Sequence, residues 1–187
     1  MSVYEVSMRK SQKTMVVVPE ARLAYLNVWE PKKLMNGTKK YSAEIIFPKT
    51  ETELLKKIDK AMNAAIVEYR SRIPSGTGGE FISPVKDGDM ERPNNPEYEG
   101  MCYMWASSMN PPGIVDAKIK PIVNRAEVYS GIYAKVSVSF YVYNKTNREG
   151  NPAIGIACCL RNIMKLRDAK SLGKRDTPED DFAEDME

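Results

Sequence analysis

Between Ile132 and Lys145 the chain alternates without a break. The even positions Ile132, Ala134, Val136, Val138, Phe140 and Val142 are all apolar. The odd positions Tyr133, Lys135, Ser137, Ser139, Tyr141, Tyr143 and Lys145 are aromatic, cationic or small and polar. Successive strand side chains face opposite ways, so this period commits the segment to a strand with one dry face and one wet face. The wet face is unusual in its make-up. A tyrosine ring can lie on a nucleobase, a lysine can meet the neighbouring phosphate, and a serine leaves room for a base to come close. Exposed tyrosines also favour strands and pair across sheets, so the pattern is shared by an ordinary sheet surface until charge is considered.

The charge is split. The sequence has 28 Lys and Arg against 25 Asp and Glu, a net of +3. Seven of the acids (Asp176, Glu179, Asp180, Asp181, Glu184, Asp185 and Glu187) fall in the last stretch, which holds no Lys or Arg. Residues 1–175 therefore carry 28 basic against 18 acidic residues, a net of +10. A strongly cationic body points to a polyanionic partner and tips the reading of the wet face toward nucleic acid. The acidic end surrounds one aromatic residue, Phe182, and lacks apolar periodicity, so it reads as disordered. Asp180, Asp181, Phe182, Glu184 and Asp185 form a candidate partner-binding tail: an apolar anchor in a charged frame, which also competes for a cationic groove.

Around the alternating strand the chain reads as short strands and turns. "TMVVVPEARLAYLNVWEP" is β-branched and aromatic with Pro19 inside it, giving two strands or one strongly bent one. "NGTKK" is a hairpin signal and "KYSAEIIFPK" returns as a strand. Leu54, Leu55, Ile58, Ala61, Met62, Ala65, Ile66, Tyr69 and Ile73 recur at three- and four-residue steps, which predicts one amphipathic helix over Thr50 to Ile73, with a Thr50/Glu53 capping box and Pro74 as its stop. Ser75 to Gly100 reads as a long polar loop. "MCYMWASSM" is a strand that sets Met101, Tyr103, Trp105, Ser107 and Met109 on one face. There Tyr103 faces a groove, and Trp105 is a core plug or a base-stacking ring. "AIGIACCLRNIMKLRD" is the last strand. Many short strands with one inserted helix suggest a small closed or nearly closed β-barrel, or else a sandwich.

Several kinds of chemistry find no support. There is no histidine, which removes the usual general base and the commonest metal ligand. No phosphate-cradling Gly-Lys-Ser/Thr loop occurs. Asp87 and Asp89 in "KDGD" are placed to hold a divalent ion, but Asp-Gly is foremost a turn signal. The three cysteines, Cys102, Cys158 and Cys159, have no metal-ligand spacing and read as small buried hydrophobes in a reducing compartment. No stretch approaches a membrane span or a secretory signal. The expectation is a binding protein without cofactor or catalytic residue. Rings reaching unstacked bases, and no helix-turn-helix or zinc finger for a major groove, favour single strands over duplex.

The blocks "ARLAYLNVWEPK", "KYSAEIIFPK", "PVKDGD", "PEYEGMCYMWASSMNPPGIVD", "VYSGIYAKVSVSFYVYN", "IGIACCLRNIMKLRD" and "LGKRDTPEDDF", in that order, resemble a family of tailed-bacteriophage single-stranded DNA-binding proteins, over roughly residues 15 to 182. The resemblance implies a mainly β, OB-type barrel with one inserted amphipathic helix and a disordered acidic C-terminal tail. The implied division is a flexible arm at residues 1–14, an OB-fold DNA-binding domain at 15–170 and a disordered tail at 171–187. An OB barrel carries its helix after the third strand, which requires Met15 to Glu30 to form two strands. The implied function is protection of single-stranded DNA during phage replication or recombination, in the cytoplasm of an infected bacterial host, with phage or host replication and recombination proteins recruited through the tail. A homodimer is left open.

For stacking the candidates are Tyr133, Tyr141, Tyr143, Tyr103 and Trp105. For phosphate contact they are Lys135, Lys145, Lys118 and Lys120, with Arg22, Lys39, Lys40, Arg125 and Arg161 as further basic residues near a groove. Two rival readings stand beside this one: a metal-dependent replication or recombination enzyme built on the carboxylates near residue 87, and a structural phage protein with a basic protein-binding surface.

Overall fold

The structure, a computed structural model, describes residues 12–70, 81–146 and 152–172. The expectations for the N-terminal arm up to residue 11 and for the acidic tail lie outside the described residues, as does the side chain of Lys145.

The elements in chain order are β1 (Met15–Lys33), β2 (Lys39–Pro48), α1 (Thr52–Arg70), β3 (Phe81–Ile82), β4 (Val85–Asp87), a short α2 (Gly88–Glu91), β5 (Met101–Ser108), β6 (Gly113–Val115), β7 (Tyr133–Thr146) and β8 (Pro152–Arg167). Five of them close a barrel. β1 pairs antiparallel with β2 and β7, β2 with β5, and β7 with β8. A parallel contact of β5 with β8, Ala106 opposite Cys158 and Ser107 opposite Cys159, seals it. β8 meets β7 along one edge. Its other edge receives β3, β5 and β6 in turn, all parallel.

The alternation at β7 is realised as its pattern demands. Ile132, Ala134, Val136 and Val138 are fully buried and Phe140 nearly so. They pack with Val16, Val18, Leu23, Ile45, Phe47, Met104 and Ile163 inside the barrel. Each large side chain taken out of water there contributes roughly 1.5–3 kcal/mol. Leu54, Ile58, Ala61 and Ala65 of α1 join the same core, so the helix plugs the barrel with the face its periodicity predicts. It starts at Thr52, and Glu53 accepts a hydrogen bond from Lys56 one turn on (2.7 Å).

Three features depart from expectation. Met15–Lys33 is one bent strand, which is one of the two forms its sequence offered and departs only from the two strands the OB resemblance required. Its register shifts fall between Val18 and Ala21, Ala24 and Asn27, and Asn27 and Lys32. Pro19, which has no N–H to give the ladder, sits in the first shift. The helix therefore follows the second barrel strand and not the third.

From Phe81 to Gly100 the chain is an ordered outer layer where a loop was expected. The Asp87 carboxylate caps α2 through the amides of Asp89 and Met90, and Asn95 caps a 3-10 turn at Pro96–Tyr98. The layer is fastened to the outer face of β2 by long-range contacts. Arg92 gives two hydrogen bonds to the buried carboxylate of Glu44, at 2.9 and 2.7 Å, and the Tyr98 hydroxyl gives it a third. Lys49 is held between Asp87 and Asp89. Gly88 has to be glycine for this to close, since a Cβ there would lie 2.3 Å from the Tyr98 carbonyl oxygen.

The third departure is in the cysteines, all three of which were expected to be buried: Cys158 is, while Cys102 and Cys159 are half-buried. Cys158 and Cys159 point to opposite faces, as neighbours on a strand must.

Candidate nucleic-acid interface

An open groove of about 500 Å³ runs over the barrel's outer surface where β5 meets β8. Its lining comes from five segments. β8 supplies Ile156, Ala157 and Cys158, and β7 supplies Tyr141 and Tyr143. β5 gives Trp105 and Ser107, β2 gives Lys40, and the start of the outer layer gives Ile82, Ser83, Pro84 and Lys86. Strand registry explains the assembly. Glu44 lies opposite Trp105, and Ala157 lies opposite Tyr141. The parallel register of β5 and β8 then brings Ala157 beside Trp105. A small side chain thus forms the floor between two large rings.

The rings are held open to solvent. Trp105 is 45% exposed and Tyr141 44%. Tyr141 and Tyr143 stand 6.4 Å apart at 53°, and Trp105 is tilted by 45° against Tyr25 at 6.2 Å. In neither pair do the rings cover each other face to face. Tyr143 sits over Gly155, where a Cβ would come within 2.5 Å of the ring. Partial burial, helped by neighbouring Cys159 and Tyr143, raises the Tyr141 phenol above its ordinary value. A phenol is neutral at physiological pH even at its ordinary value, so the ring does not repel a phosphate.

The residues singled out from sequence divide among several places. Tyr141, Tyr143 and Trp105 meet at the groove, with Lys40 at its margin. Trp105 is thus a surface ring and not a core plug. Tyr103 is half-buried beneath the outer layer, edge-on to Tyr98 (5.3 Å, 78°) with the Arg92 guanidinium 4.4 Å over its ring. Tyr133 shares the outward face of β7 but stands at its other end, under Arg167 at 3.5 Å and near Arg22 at 5.9 Å. Lys135 is half-buried on the same face opposite Met164. Lys118 and Lys120 are exposed on the turn after β6, where the Asp116 carboxylate accepts both their amides (2.8 and 2.9 Å). Lys145 is the last residue but one of β7, opposite Ala153. Of the other basic residues, Arg22 is paired with Glu97 and Arg125 with Glu30, while Arg161 is exposed on β8.

Sequence reasoning missed Tyr25, Lys86, Gly155 and Ala157. Tyr25 has a left-handed backbone (φ 48°) at a register shift of β1. Its ring is thrown outward toward Trp105 and the Arg92 guanidinium, which lies 5.7 Å away. A bulge of this kind re-aims a side chain without a compositional mark. Gly155 and Ala157 were legible only as weak strand residues, because their role depends on the rings facing them.

Asp87 and Asp89 are committed to Lys49, to the α2 amides and to the Gly100 amide. The Lys49 hydrogen bond is the main cause that holds both carboxyls below their usual range. Among the described residues no cluster of three or more His, Cys, Asp or Glu is placed to hold a metal ion, and no helix is long and apolar enough to cross a membrane.

A closed five-stranded barrel with a parallel seam, a helix plugging the core and an aromatic groove on its outer wall is the OB-type architecture of single-strand-binding proteins. Within that class the chain belongs to the family described as "Enterobacter phage Enc34, ssDNA-binding protein", whose model matches residues 14–187. It is 26% identical to protein p50 of Acyrthosiphon pisum secondary endosymbiont phage 1, over 79% of this chain and 80% of that one. The fold matches the single-stranded DNA-binding protein from bacteriophage Enc34 in complex with ssDNA (TM-score 0.70, 21% identity, 86% of this chain and 90% of that chain). It also matches gp2.5, a single-stranded DNA-binding protein encoded by bacteriophage T7 (TM-score 0.55, 18% identity, 87% and 97%).

Proposed function

We propose that the protein binds single-stranded DNA with little sequence preference and shields it while phage DNA is replicated or recombined in the host cytoplasm. The observation that carries this reading is the convergence of Trp105, Tyr141 and Tyr143, all solvent-exposed, on one groove bordered by Lys40 and Lys86. Stacking on such rings contributes roughly 1–3 kcal/mol per base and tolerates any base. The lysines add affinity by releasing counterions from the phosphates. No catalytic step is assigned. A metal at Asp87 and Asp89 would first have to displace the Lys49 ammonium.

The test is intrinsic fluorescence during titration with oligothymidine at two salt concentrations. Quenching of the tryptophan signal, with affinity falling as salt rises, is the expected result. Intact fluorescence at saturation would remove the stacking mechanism.

The acidic segment from Asp176 to Glu187 is, in the same reading, a poor mimic of the polyanion. It competes for the cationic surface when DNA is absent and, once displaced, recruits replication or recombination proteins around Phe182. Deleting it is expected to tighten DNA binding at low salt and abolish those contacts. Unchanged low-salt affinity would count against the competition.

A further inference from the structure

Past the barrel rim, β1 and β2 continue as a two-stranded arm whose residues pair only with each other. In this arm lysine faces lysine. Lys32 stands directly opposite Lys40, and Lys33 opposite Lys39. Like charges in directly opposed positions destabilise a strand pair. None of these four side chains has an ion-pair partner among the described residues. The turn joining them is nevertheless well built. The Leu34 amide bonds to the Thr38 carbonyl, the Gly37 amide to the Leu34 carbonyl, and the Asn36 side chain accepts from the Thr38 amide. Its tip displays Leu34 and Met35 to solvent. A firm hairpin that concentrates unneutralised positive charge suits a polyanionic occupant.

Opposed residues of an antiparallel pair share a face, and successive pairs alternate faces. Lys40 lines the groove beside Trp105 and Ser107, so Lys32 lies on the groove side with it. Lys33 and Lys39 lie on the reverse. This is the side that, further along β2, carries Ala43, Ile45 and Phe47 into the barrel. The arm therefore offers two cations to each side, and only one side belongs to the groove.

We infer that the reverse face of the arm, Lys33 and Lys39, is a second contact site for the DNA backbone, which takes the length of strand leaving the groove. This rests on reading the groove as the single-strand site. It adds that the bound strand folds over the arm and does not end there. The affinity gain from the reverse face then appears only with strands longer than the groove holds.

The test uses the full chain and its Lys33→Gln/Lys39→Gln variant. Each is titrated by fluorescence anisotropy with oligothymidines of about 5 and about 25 nucleotides, at the short end of and beyond the ~4–16 nucleotides that one such barrel spans. The variant is expected to hold the short strand within about two-fold of the original and to lose about tenfold on the long one. Its salt slope on the long strand should fall by about 1.4, two phosphate contacts at ~0.7 each for single strands. Equal loss at both lengths, or no loss at either, overturns the inference. If the unaltered protein holds neither strand, the groove reading has failed and this one falls with it, which is a different outcome from a length-blind variant. A second variant guards against misfolding. Lys39→Glu places opposite charges face to face, so its melting temperature at low salt should rise, and a fall would remove the premise that the arm is under repulsion.

Discussion

The ring of Tyr143 rests on Gly155 across the β7–β8 ladder, so close that a methyl group at 155 would fall 2.5–2.7 Å from its Cζ, Cε1 and hydroxyl. The atoms in the way are the far end of a side chain beside an open groove. Gly155→Ala should therefore push the ring off its seat while costing the fold no more than about 1 kcal/mol. Oligothymidine affinity is expected to drop several-fold with the urea midpoint almost unmoved. A large stability loss with unchanged affinity would show that Tyr143 has no part in binding.

Trp105→Ala and Tyr141→Ala should each weaken oligothymidine binding by about 1–3 kcal/mol, or ~5- to 150-fold. Tyr133→Ala should do far less, because its ring is already occupied by Arg167 at the opposite end of β7. Anisotropy titrations of the three variants at one salt concentration check the order, and a Tyr133 effect as large as the others would contradict this placement.

Glu44 is only 1% exposed and depends on Arg92 and Tyr98 for its hydrogen bonds. Removing one partner of a buried ion pair costs about 3–5 kcal/mol. Arg92→Met is expected at the lower end of that range, since the arginine side chain is 28% exposed and water can reach the space it leaves. Replacing Glu44 by Met as well should recover much of the loss. Urea unfolding of the single and double variants measures both steps. Equal destabilisation by the two would mean that the outer layer is held by something else.

The Lys49 clamp gives a pH signature. Its hydrogen bonds lower Asp87 and Asp89 from their usual 3.8. Groups with depressed folded values stabilise above the unfolded value, and that contribution is lost as pH falls through the folded one. Lys49 is raised from 10.5, chiefly by Asp87. Its share is complete below that value and is lost as pH rises past it. The clamp therefore holds between the two limits and releases below about pH 3.8. Thermal melts between about pH 5 and pH 3 should show a steeper loss for the parent protein than for Lys49→Met, and parallel curves would dismiss the clamp.

The elements legible from sequence were those whose pattern is local. The period of two at Ile132–Phe140 and the helical period at Leu54–Ala65 each name their own buried face, and the structure buries those faces. What escaped depends on partners far along the chain. The layer from Phe81 to Gly100 looked like a loop because its fasteners, Glu44 and Lys49, lie some forty residues or more away. Alternation also told which side of β7 faces water without telling what lies beside each tyrosine. Tyr133 and Tyr141 share a face, yet one is covered by Arg167 and the other looks across Ala157 toward Trp105.

The seam at β8 bears on how such a chain comes to work in a cell. Every strand it joins is synthesised earlier: β3, β5 and β6 on one edge and β7 on the other. A nascent polypeptide still missing Ile154–Arg167 has no floor for the groove and no way to close the cylinder, so its rings and lysines stay scattered. Gathering of the rings into one groove is thus coupled to barrel closure, because the last of the described strands in chain order performs both.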